Sequence, residues 1–224
     1  MRKLIWFIMG LFMLQSGAFA IDDNQKMLIK AMRKNDVSTV TSLIEKGTDL
    51  NFEMGLTPLV MAIRAGNLTL VDTMLAAGAE VNFTESQPAN ALVSAAATGN
   101  EVMLKRILDA GADINARAHG VPYRTALMQA SESGHMALVA LLVKRGADLT
   151  IGDYNDDQAL AFAAYYNQPA IISFLVEQGA DINHISTLGL TPLDHAVRSE
   201  SKAAEQLLRQ LGAQEGSELK ANAG

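Results

Sequence analysis

The sequence contains no cysteine in its 224 residues. This absence excludes disulfide bonds, thiolate metal sites, cysteine nucleophiles and a lipidated N-terminal cysteine. A chain of this length can bury a substantial core. Any folded part of it must therefore be stabilised by packing and hydrogen bonding, without covalent cross-links.

Basic residues are in the minority: 18 Lys and Arg stand against 24 Asp and Glu, which gives a net charge of −6. The basic residues are also dispersed along the chain. Binding to nucleic acid needs grouped Lys and Arg side chains that neutralise phosphates. The composition therefore argues against a nucleic-acid partner.

Long hydrophobic runs are scarce, and the run near the N-terminus is short. Residues 4–14 are uncharged, follow Arg2 and Lys3, and precede an Ala-Phe-Ala sequence that ends at Ala20. This pattern is typical of a secretory signal peptide, with cleavage expected after Ala20. The alternative, a membrane anchor, would need about 20 apolar residues. We therefore expect a periplasmic or secreted protein without stable membrane insertion. Cleavage would remove Trp6, the only tryptophan, and change the net charge to −8.

Motifs of common catalytic and cofactor sites are missing from the sequence. There is no His-Glu-x-x-His, Gly-x-Ser-x-Gly, Gly-x-Gly-x-x-Gly or phosphate-binding loop. Among the four histidines, we expect His135 to make a structural hydrogen bond, His195 to pack near a helix, and His119 and His184 to be solvated in loops. The sequence therefore predicts no catalytic residue, no metal and no cofactor. An enzyme of unfamiliar type stays open as an alternative that no motif supports.

The acidic run from Asp153 to Asp157 places oxygen-bearing side chains at positions 1, 3 and 5 of a calcium loop. An EF-hand would also need glycine at position 6 and glutamate at position 12. The chain has Gln158 and Ala164 there. A solvated loop is the better interpretation.

A five-residue phrase, Gly-Ala-Asp-Ile-Asn, occurs at 111–115 and again at 179–183. Related phrases begin at four other glycines: Gly47, Gly78, Gly146 and, in shortened form, Gly212. Successive glycines of this series lie 31 to 35 residues apart. A second phrase, Thr-Pro-Leu at 57–59 and 191–193, has related copies at 90–92, 125–127 and 158–160. Both phrases indicate one structural unit of about 33 residues that is repeated along the chain.

The residues of one unit predict two helices. Thr57 suits the N-cap and Pro58 the first helical position. Apolar residues at helical spacing follow, and Gly66 ends the first helix. A second apolar helix ends at Gly78, where the left-handed backbone conformation suits a C-terminal cap. Neither helix can bury its apolar face alone, so successive units must stack.

This unit resembles the ankyrin repeat, whose motif Thr-Pro-Leu-His-x-Ala is matched best at 57–62 and 191–196, although neither copy has histidine in fourth place. The Gly-His pair between helices appears at Gly134 and His135. The resemblance covers roughly residues 22–214. It implies an all-α fold, an α-solenoid of about six repeats, each a helix-turn-helix with a hairpin-like loop.

The terminal units depart from the repeat pattern and are expected to cap the array. The first has two helical stretches, Asn24–Arg33 and Val37–Glu45, but no Thr-Pro-Leu.

In the fifth unit, Gln158 is a poor N-cap, so we expect Asp156 or Asp157 to cap that helix. The predicted segments are the signal peptide (1–20), the N-terminal cap (21–54), repeats two to five (55–87, 88–122, 123–155 and 156–188), the C-terminal cap (189–216) and a polar tail (217–224).

All four tyrosines fall between Tyr123 and Tyr166, within two consecutive repeats. The resemblance places Tyr165 and Tyr166 on the concave groove, and Tyr123 and Tyr154 in loops that lead into first helices. Tyrosine and arginine are enriched among residues that anchor interfaces. The alternative is that one or two of these rings merely cover the stack. The predicted partner-binding residues are Arg64, Tyr123, Arg124, Glu132, Tyr154, Asp157, Tyr165, Tyr166 and Arg198.

The resemblance implies a non-catalytic module that binds a protein partner through its concave groove. The acidic residues near Tyr154 favour a basic or neutral surface on that partner. We expect a monomer of bacterial origin that acts in the periplasm. The alternative function is an inhibitor, immunity or protective protein for a periplasmic or exported enzyme.

Overall fold

The computed structural model describes residues 21–52, 56–83, 90–118 and 123–222. Within these ranges the chain forms thirteen helices and no β-strand. The predicted signal peptide and His119 lie outside the described residues. The helices are α1 (Asp23–Arg33), α2 (Val37–Glu45), α3 (Pro58–Arg64), α4 (Leu68–Ala76), α5 (Ala91–Ala97), α6 (Glu101–Asp109), α7 (Ala126–Glu132), α8 (Met136–Lys144), α9 (Ala159–Tyr165), α10 (Pro169–Glu177), α11 (Pro192–Arg198), α12 (Lys202–Gln210) and α13 (Gly216–Asn222).

The first twelve helices form six consecutive pairs, one in each predicted unit. The first helices of the pairs (α1, α3, α5, α7, α9 and α11, called here the inner helices) each contact the inner helix of the next unit. The second helices pack beside their own partners, and most of them also contact the second helix of a neighbouring unit. The prediction of an all-helical array of stacked helix pairs is confirmed for the described residues.

Side-chain caps begin the inner helices where the sequence predicted them. Thr57 Oγ1 accepts a hydrogen bond from Val60 N, and Thr191 Oγ1 accepts one from Asp194 N. The prediction for the fifth unit was wrong, because neither Asp156 nor Asp157 caps α9. The N-cap is Gln158, whose Nε2 instead donates to Thr150 O at 3.1 Å.

The asparagine of the repeated phrase joins each unit to the next. Asn115 Oδ1 accepts a hydrogen bond from Asp148 N at 2.9 Å, and Asn183 Oδ1 accepts one from Gln214 N at 2.9 Å. Asn51 and Asn82 make the equivalent bonds in earlier units. The repeated phrase therefore supplies a ladder of hydrogen bonds between units, which explains why it recurs with the structural period.

The core is a single hydrophobic cluster that runs through all six units. Leu70 and Met74 of α4 and Leu138 and Leu142 of α8 are almost fully buried. Burial of each such side chain contributes roughly 1.5–3 kcal/mol. Since each unit covers the apolar faces of its neighbours, this contribution depends on stacking.

The turn between the two helices of each unit contains one residue with positive φ. Glycine takes this place in the second, third and fourth units, for example Gly134 with φ +74°. Asn35, Asn167 and Glu200 take it in the other three, with φ between +54° and +56°. Glycine and asparagine adopt this conformation readily, whereas glutamate does so at a cost.

The predicted polar tail contains a further helix, α13. Asp194 Oδ2 accepts a hydrogen bond from Gly216 N at 2.8 Å, which ties the start of α13 to α11. Thr191 Oγ1 also donates to Gln214 O at 2.9 Å. The last inner helix is therefore covered in part by the residues that follow the sixth pair. No helix within the described ranges is long and apolar enough to cross a membrane.

Candidate functional site

The inner helices place side chains of successive units in columns. Arg64, Glu132, Tyr165 and Arg198 are the final residues of α3, α7, α9 and α11, and therefore hold equivalent positions. Of these, Glu132 is partly buried, whereas the other three are exposed. From the second to the sixth unit the column therefore reads arginine, alanine (Ala97, at the end of α5), glutamate, tyrosine and arginine.

Two predicted site tyrosines stack on each other in the loops that precede α7 and α9. The ring centroids of Tyr123 and Tyr154 lie 4.6 Å apart with an interplanar angle of 23°. The Arg117 guanidinium lies 5.0 Å from the Tyr123 centroid. Tyr154 is 63 % exposed. The stack therefore exposes mainly the Tyr154 ring to solvent, while Tyr123 is partly covered.

Arg124 is held by two partners at the start of the fourth unit. It forms an ion pair with Glu132, and both side chains are mostly buried. Its guanidinium also lies 4.7 Å from the centroid of Phe162 on the next inner helix. Since cation–π contact and ion pairing act together here, the positive charge of Arg124 is already compensated within the protein.

A histidine–carboxylate pair joins the fifth and sixth units. His195 Nε2 lies 2.8 Å from Asp157 Oδ1, and the two side chains are only 14 % and 11 % exposed. A carboxylate can only accept, so Nε2 of His195 carries the shared hydrogen. Asp157 N in turn donates to Asp153 Oδ1 at 3.0 Å, which fixes the loop that carries both aspartates.

These groups surround a cavity of about 230 Å³ at the junction of the fourth, fifth and sixth units. Tyr165 and Tyr166 flank it, with ring centroids 5.1 Å apart in an edge-to-face arrangement. They are 47 % and 40 % exposed. The cavity is lined by Arg124, Asp153, Asp157, Ala161, Phe162, Tyr165, Tyr166 and His195.

The structure brings four of the nine predicted site residues directly to this cavity: Arg124, Asp157, Tyr165 and Tyr166. Glu132 contributes through Arg124, while Tyr123 and Tyr154 form the neighbouring stack. Arg198 is exposed at the end of α11 and does not line the cavity. Arg64 lies in the second unit, on α3, and is also outside it.

Sequence reasoning missed Phe162 and His195 as cavity residues. Both lie four positions after the N-cap of an inner helix, and they are 33 residues apart. This column, which continues back through Gln129, also faces the groove. The repeat spacing contained this signal, but the predicted site residues were those at the ends of the inner helices.

His135 and His184, the other two histidines in the described part of the chain, have structural surroundings. His184 was predicted to be solvated, but its Nε2 lies 2.9 Å from Asp156 O and 3.0 Å from Asp156 Oδ2. The His135 ring packs against Gly99, so close that a Cβ on Gly99 would lie 2.7 Å from Cε1. The sequence predicted a structural hydrogen bond for His135, but its side chain makes no hydrogen bond that caps α8. Among the described residues, no group of three or more His, Asp or Glu side chains is placed to hold a metal ion.

Comparison with known proteins identifies the repeat. The family model for "Ankyrin repeats (3 copies)" matches residues 8–85, 28–118, 65–153, 92–186 and 153–218. An L-asparaginase of Dirofilaria immitis is 30 % identical over 175 residues, which are 76 % of this chain and 29 % of that protein. Inversin of Canis lupus familiaris is 31 % identical over 163 residues, 72 % of this chain and 15 % of that protein.

A third relative carries the repeat in its name. The ankyrin repeat, SAM and basic leucine zipper domain-containing protein 1 of Dasypus novemcinctus is 30 % identical over 137 residues, 59 % of this chain and 29 % of that protein. The chain thus spans less than a third of the length of each of these three relatives. The similarity concerns the repeat array and does not extend to the remainder of those proteins.

Proposed function

The chain belongs to the ankyrin-repeat family, and we propose that it is a non-catalytic interaction module that binds a protein partner through the groove of its fourth to sixth units. The binding surface would consist of the cavity at these units and the Tyr123–Tyr154 stack beside it. Because a fold does not determine what is bound, the proposal depends on the side chains of this surface.

The observation that carries the proposal is the exposure of three tyrosines at one place. Tyr154, Tyr165 and Tyr166 are between 40 % and 63 % exposed, although each contacts another aromatic ring. Rigid, partly exposed tyrosines lose little conformational entropy when a partner covers them. Such residues around a concave site are typical of the centre of a protein interface.

The Asp157–His195 pair has no catalytic role in this proposal. Each residue comes from a different unit, and their hydrogen bond fixes the relative position of α9 and α11. The pair therefore acts as part of the wall of the groove, where it keeps the cavity in shape.

A pull-down experiment tests the proposal. The wild-type protein and a variant with Tyr154, Tyr165 and Tyr166 all replaced by Ala would be used to capture partners from an extract of the native extracytoplasmic compartment. We expect the triple variant to lose the partner that the wild type retains, with unchanged helical circular dichroism. Truncation of a tyrosine that is an interface hot spot costs about 2 kcal/mol or more.

The control for this experiment removes the same number of exposed apolar side chains elsewhere. Met27, Val102 and Leu211 are 51 %, 52 % and 43 % exposed and lie outside the cavity. Their replacement by Ala should leave capture unchanged. Equal capture by the wild type and the tyrosine variant would refute this groove as the binding surface.

We also propose that the protein is exported, on the basis of the signal-peptide pattern in residues 1–20. Protein isolated from the extracytoplasmic fraction should have an intact mass that corresponds to a chain beginning at Ile21. It should also show no indole fluorescence, because Trp6 is the only tryptophan. Indole emission from this fraction would refute cleavage at Ala20.

A further inference from the structure

The charged groups around the cavity leave an excess of negative charge. Arg124 is neutralised by its ion pair with Glu132, and its guanidinium covers Phe162. Among the described residues, the lining contains no second arginine or lysine, whereas it contains two aspartates. Arg198 is exposed at the end of α11 and stays outside the lining. Net negative charge in a cavity that is partly shielded from water favours a positively charged guest.

Each aspartate keeps one oxygen available to such a guest. Asp153 Oδ1 accepts from the backbone N–H groups of Asn155 and Asp157 at 2.8 and 3.0 Å. Asp157 Oδ1 accepts the hydrogen bond of His195 Nε2. Asp157 is only 8 % exposed. The Oδ2 atoms of both residues accept no hydrogen bond from any described residue. A carboxylate oxygen at the cavity that has no donor within the described residues can accept a hydrogen bond from a ligand.

The aromatic rings of the cavity favour a planar cation. In this region the chain itself twice places an arginine against an aromatic ring, Arg117 on Tyr123 and Arg124 on Phe162. Tyr165 and Tyr166 also line the cavity, but within the described part of the chain neither has a cation over its ring. A guanidinium can stack on such a ring and donate to a carboxylate at the same time, whereas an ammonium cannot stack as a plane.

The size of the cavity favours a single side chain. Its volume of about 230 Å³ lies below the roughly 300–1,000 Å³ of typical small-molecule pockets. Its position among Tyr165, Tyr166 and the Tyr123–Tyr154 stack allows the remainder of a partner to rest on the surrounding rings.

From this geometry we propose that the cavity receives an arginine side chain of the partner, whose guanidinium contacts Asp153 and Asp157 and stacks on Tyr165 or Tyr166. The inference rests on the proposed function and specifies its chemistry: the partner presents an exposed arginine with apolar or aromatic neighbours. The partner's arginine would insert between the loop that carries Asp153 and Asp157 and the end of α9.

A peptide selection followed by a double-mutant cycle tests this inference. Random peptides displayed on phage would be selected on the wild-type protein. The dissociation constant of the strongest peptide would then be measured for the wild type and for Asp153→Asn. Each protein would be measured with two forms of this peptide, the original one with arginine and one in which that arginine is replaced by Gln. Asparagine can still accept the two backbone hydrogen bonds of Asp153 through its Oδ1, so the loop is retained.

We expect arginine to be enriched in the selected peptides. Replacing it by Gln should weaken binding to the wild type about tenfold or more, as for loss of a charge-assisted hydrogen bond. The same peptide change should weaken binding to Asp153→Asn by less than about threefold, because the carboxylate is already absent. Asp157→Asn provides a second, independent variant with the same expected result.

Asp113→Asn is the matched control. Asp113 accepts the backbone N–H of Asn115 at 3.0 Å, as Asp153 accepts that of Asn155 at 2.8 Å, but it lies in the third unit, outside the cavity. This variant should show the full loss of affinity when the peptide arginine is replaced.

The failures of the two proposals are distinguishable. Peptides that bind and need the tyrosines, but show no coupling between arginine and Asp153, would overturn the arginine site and leave the interaction module intact. A lysine that replaces the peptide arginine without loss of affinity would also overturn the preference for a guanidinium. If no peptide depends on the tyrosines, both the arginine site and the groove as a binding surface fail.

Discussion

His195 and Asp157 share a hydrogen bond of 2.8 Å that crosses from the sixth unit to the fifth. The bond fixes two elements at once, because Asp157 belongs to the loop before α9 and His195 to the middle of α11. The loop is tied a second time by the bond from Asp157 N to Asp153 Oδ1. The wall of the cavity is therefore built from contacts between units, and its shape depends on the stack.

Replacing Asp157 by Ala should destabilise the protein. The change removes the acceptor of a mostly buried histidine N–H, and a buried donor without a partner costs about 1–3 kcal/mol. Urea unfolding followed by circular dichroism would measure the loss. Asp157→Asn retains an acceptor and should lose less than half as much. Equal losses in the two variants would show that the hydrogen bond contributes little.

Replacing Glu200 by Gly should stabilise the protein. Glu200 has φ +56° in the turn between α11 and α12, where other units have glycine or asparagine. Its side chain is exposed, so little contact is lost. We expect a gain of about 1 kcal/mol in the free energy of unfolding, since the left-handed conformation costs other residues about 1–2 kcal/mol. Glu200→Ala keeps the strain and should change stability by less than about 0.5 kcal/mol.

Gly152→Ala should move the loop that carries Asp153 and Asp157. A Cβ at this position would lie 2.5 Å from Asp156 Cα, which forces the backbone to shift. We therefore expect the ring resonances of His195 to shift in NMR spectra. We also expect the selected peptide to bind more weakly at the cavity.

Gly179→Ala is the control for that experiment. Gly179 has φ +93°, and a Cβ there would have no neighbour within 4 Å. The substitution should lower stability through backbone strain alone and leave the His195 resonances in place. Identical His195 spectra for Gly152→Ala and the wild type would contradict the expected movement of the loop.

Thr150→Val should raise the pKa of Asp148. The Thr150 hydroxyl donates to Asp148 Oδ1 at 2.7 Å and is the main reason that the pKa of this carboxyl lies below its ordinary value; the Thr150 N–H adds to the effect. Valine removes the hydroxyl and keeps the N–H, so the pKa should rise only part of the way. NMR titration of the Asp148 carboxyl would measure it, with Thr150→Ser as the control that retains the hydroxyl.

The sign of the associated pH effect follows from the lowered pKa. The folded state binds the proton of Asp148 less tightly than the unfolded state, so the contribution to stability is present above the ordinary pKa of an aspartate. It is lost as the pH falls through the lower, folded value. Thr150→Val should therefore make stability less sensitive to acid, by a small amount because Asp148 is exposed.

Local sequence signals located the helices well. The pattern predicted Asn24–Arg33 and Val37–Glu45, and the structure has Asp23–Arg33 and Val37–Glu45. These boundaries depend on caps and apolar spacing within a few residues, which a single sequence contains. The same reasoning failed at α9, because Asp156 is bonded to His184, in the loop after α10, and Asp157 to His195 of the sixth unit, and neither aspartate caps the helix.

The candidate site was predictable only in part, for the same reason. The clustering of the tyrosines pointed to the fourth and fifth units, which contribute to the cavity, and the equivalence of Tyr165 with Glu132 and Arg198 followed from the period. The compensation of the Arg124 charge by Glu132 and Phe162 did not follow from the period, because it depends on the side-chain directions of two adjacent inner helices.

The sequence by itself determined the period of about 33 residues, the helix pair of each unit and the need for units to stack, since these follow from caps, turns and apolar faces that are local in the chain. Only the tertiary structure decided that Asp157 meets His195 and that Arg124 covers Phe162, because these partners are 38 residues apart in both cases. Their meeting depends on the offset and rotation between neighbouring units. The cavity arises from that geometry, whereas the array arises from the repeat.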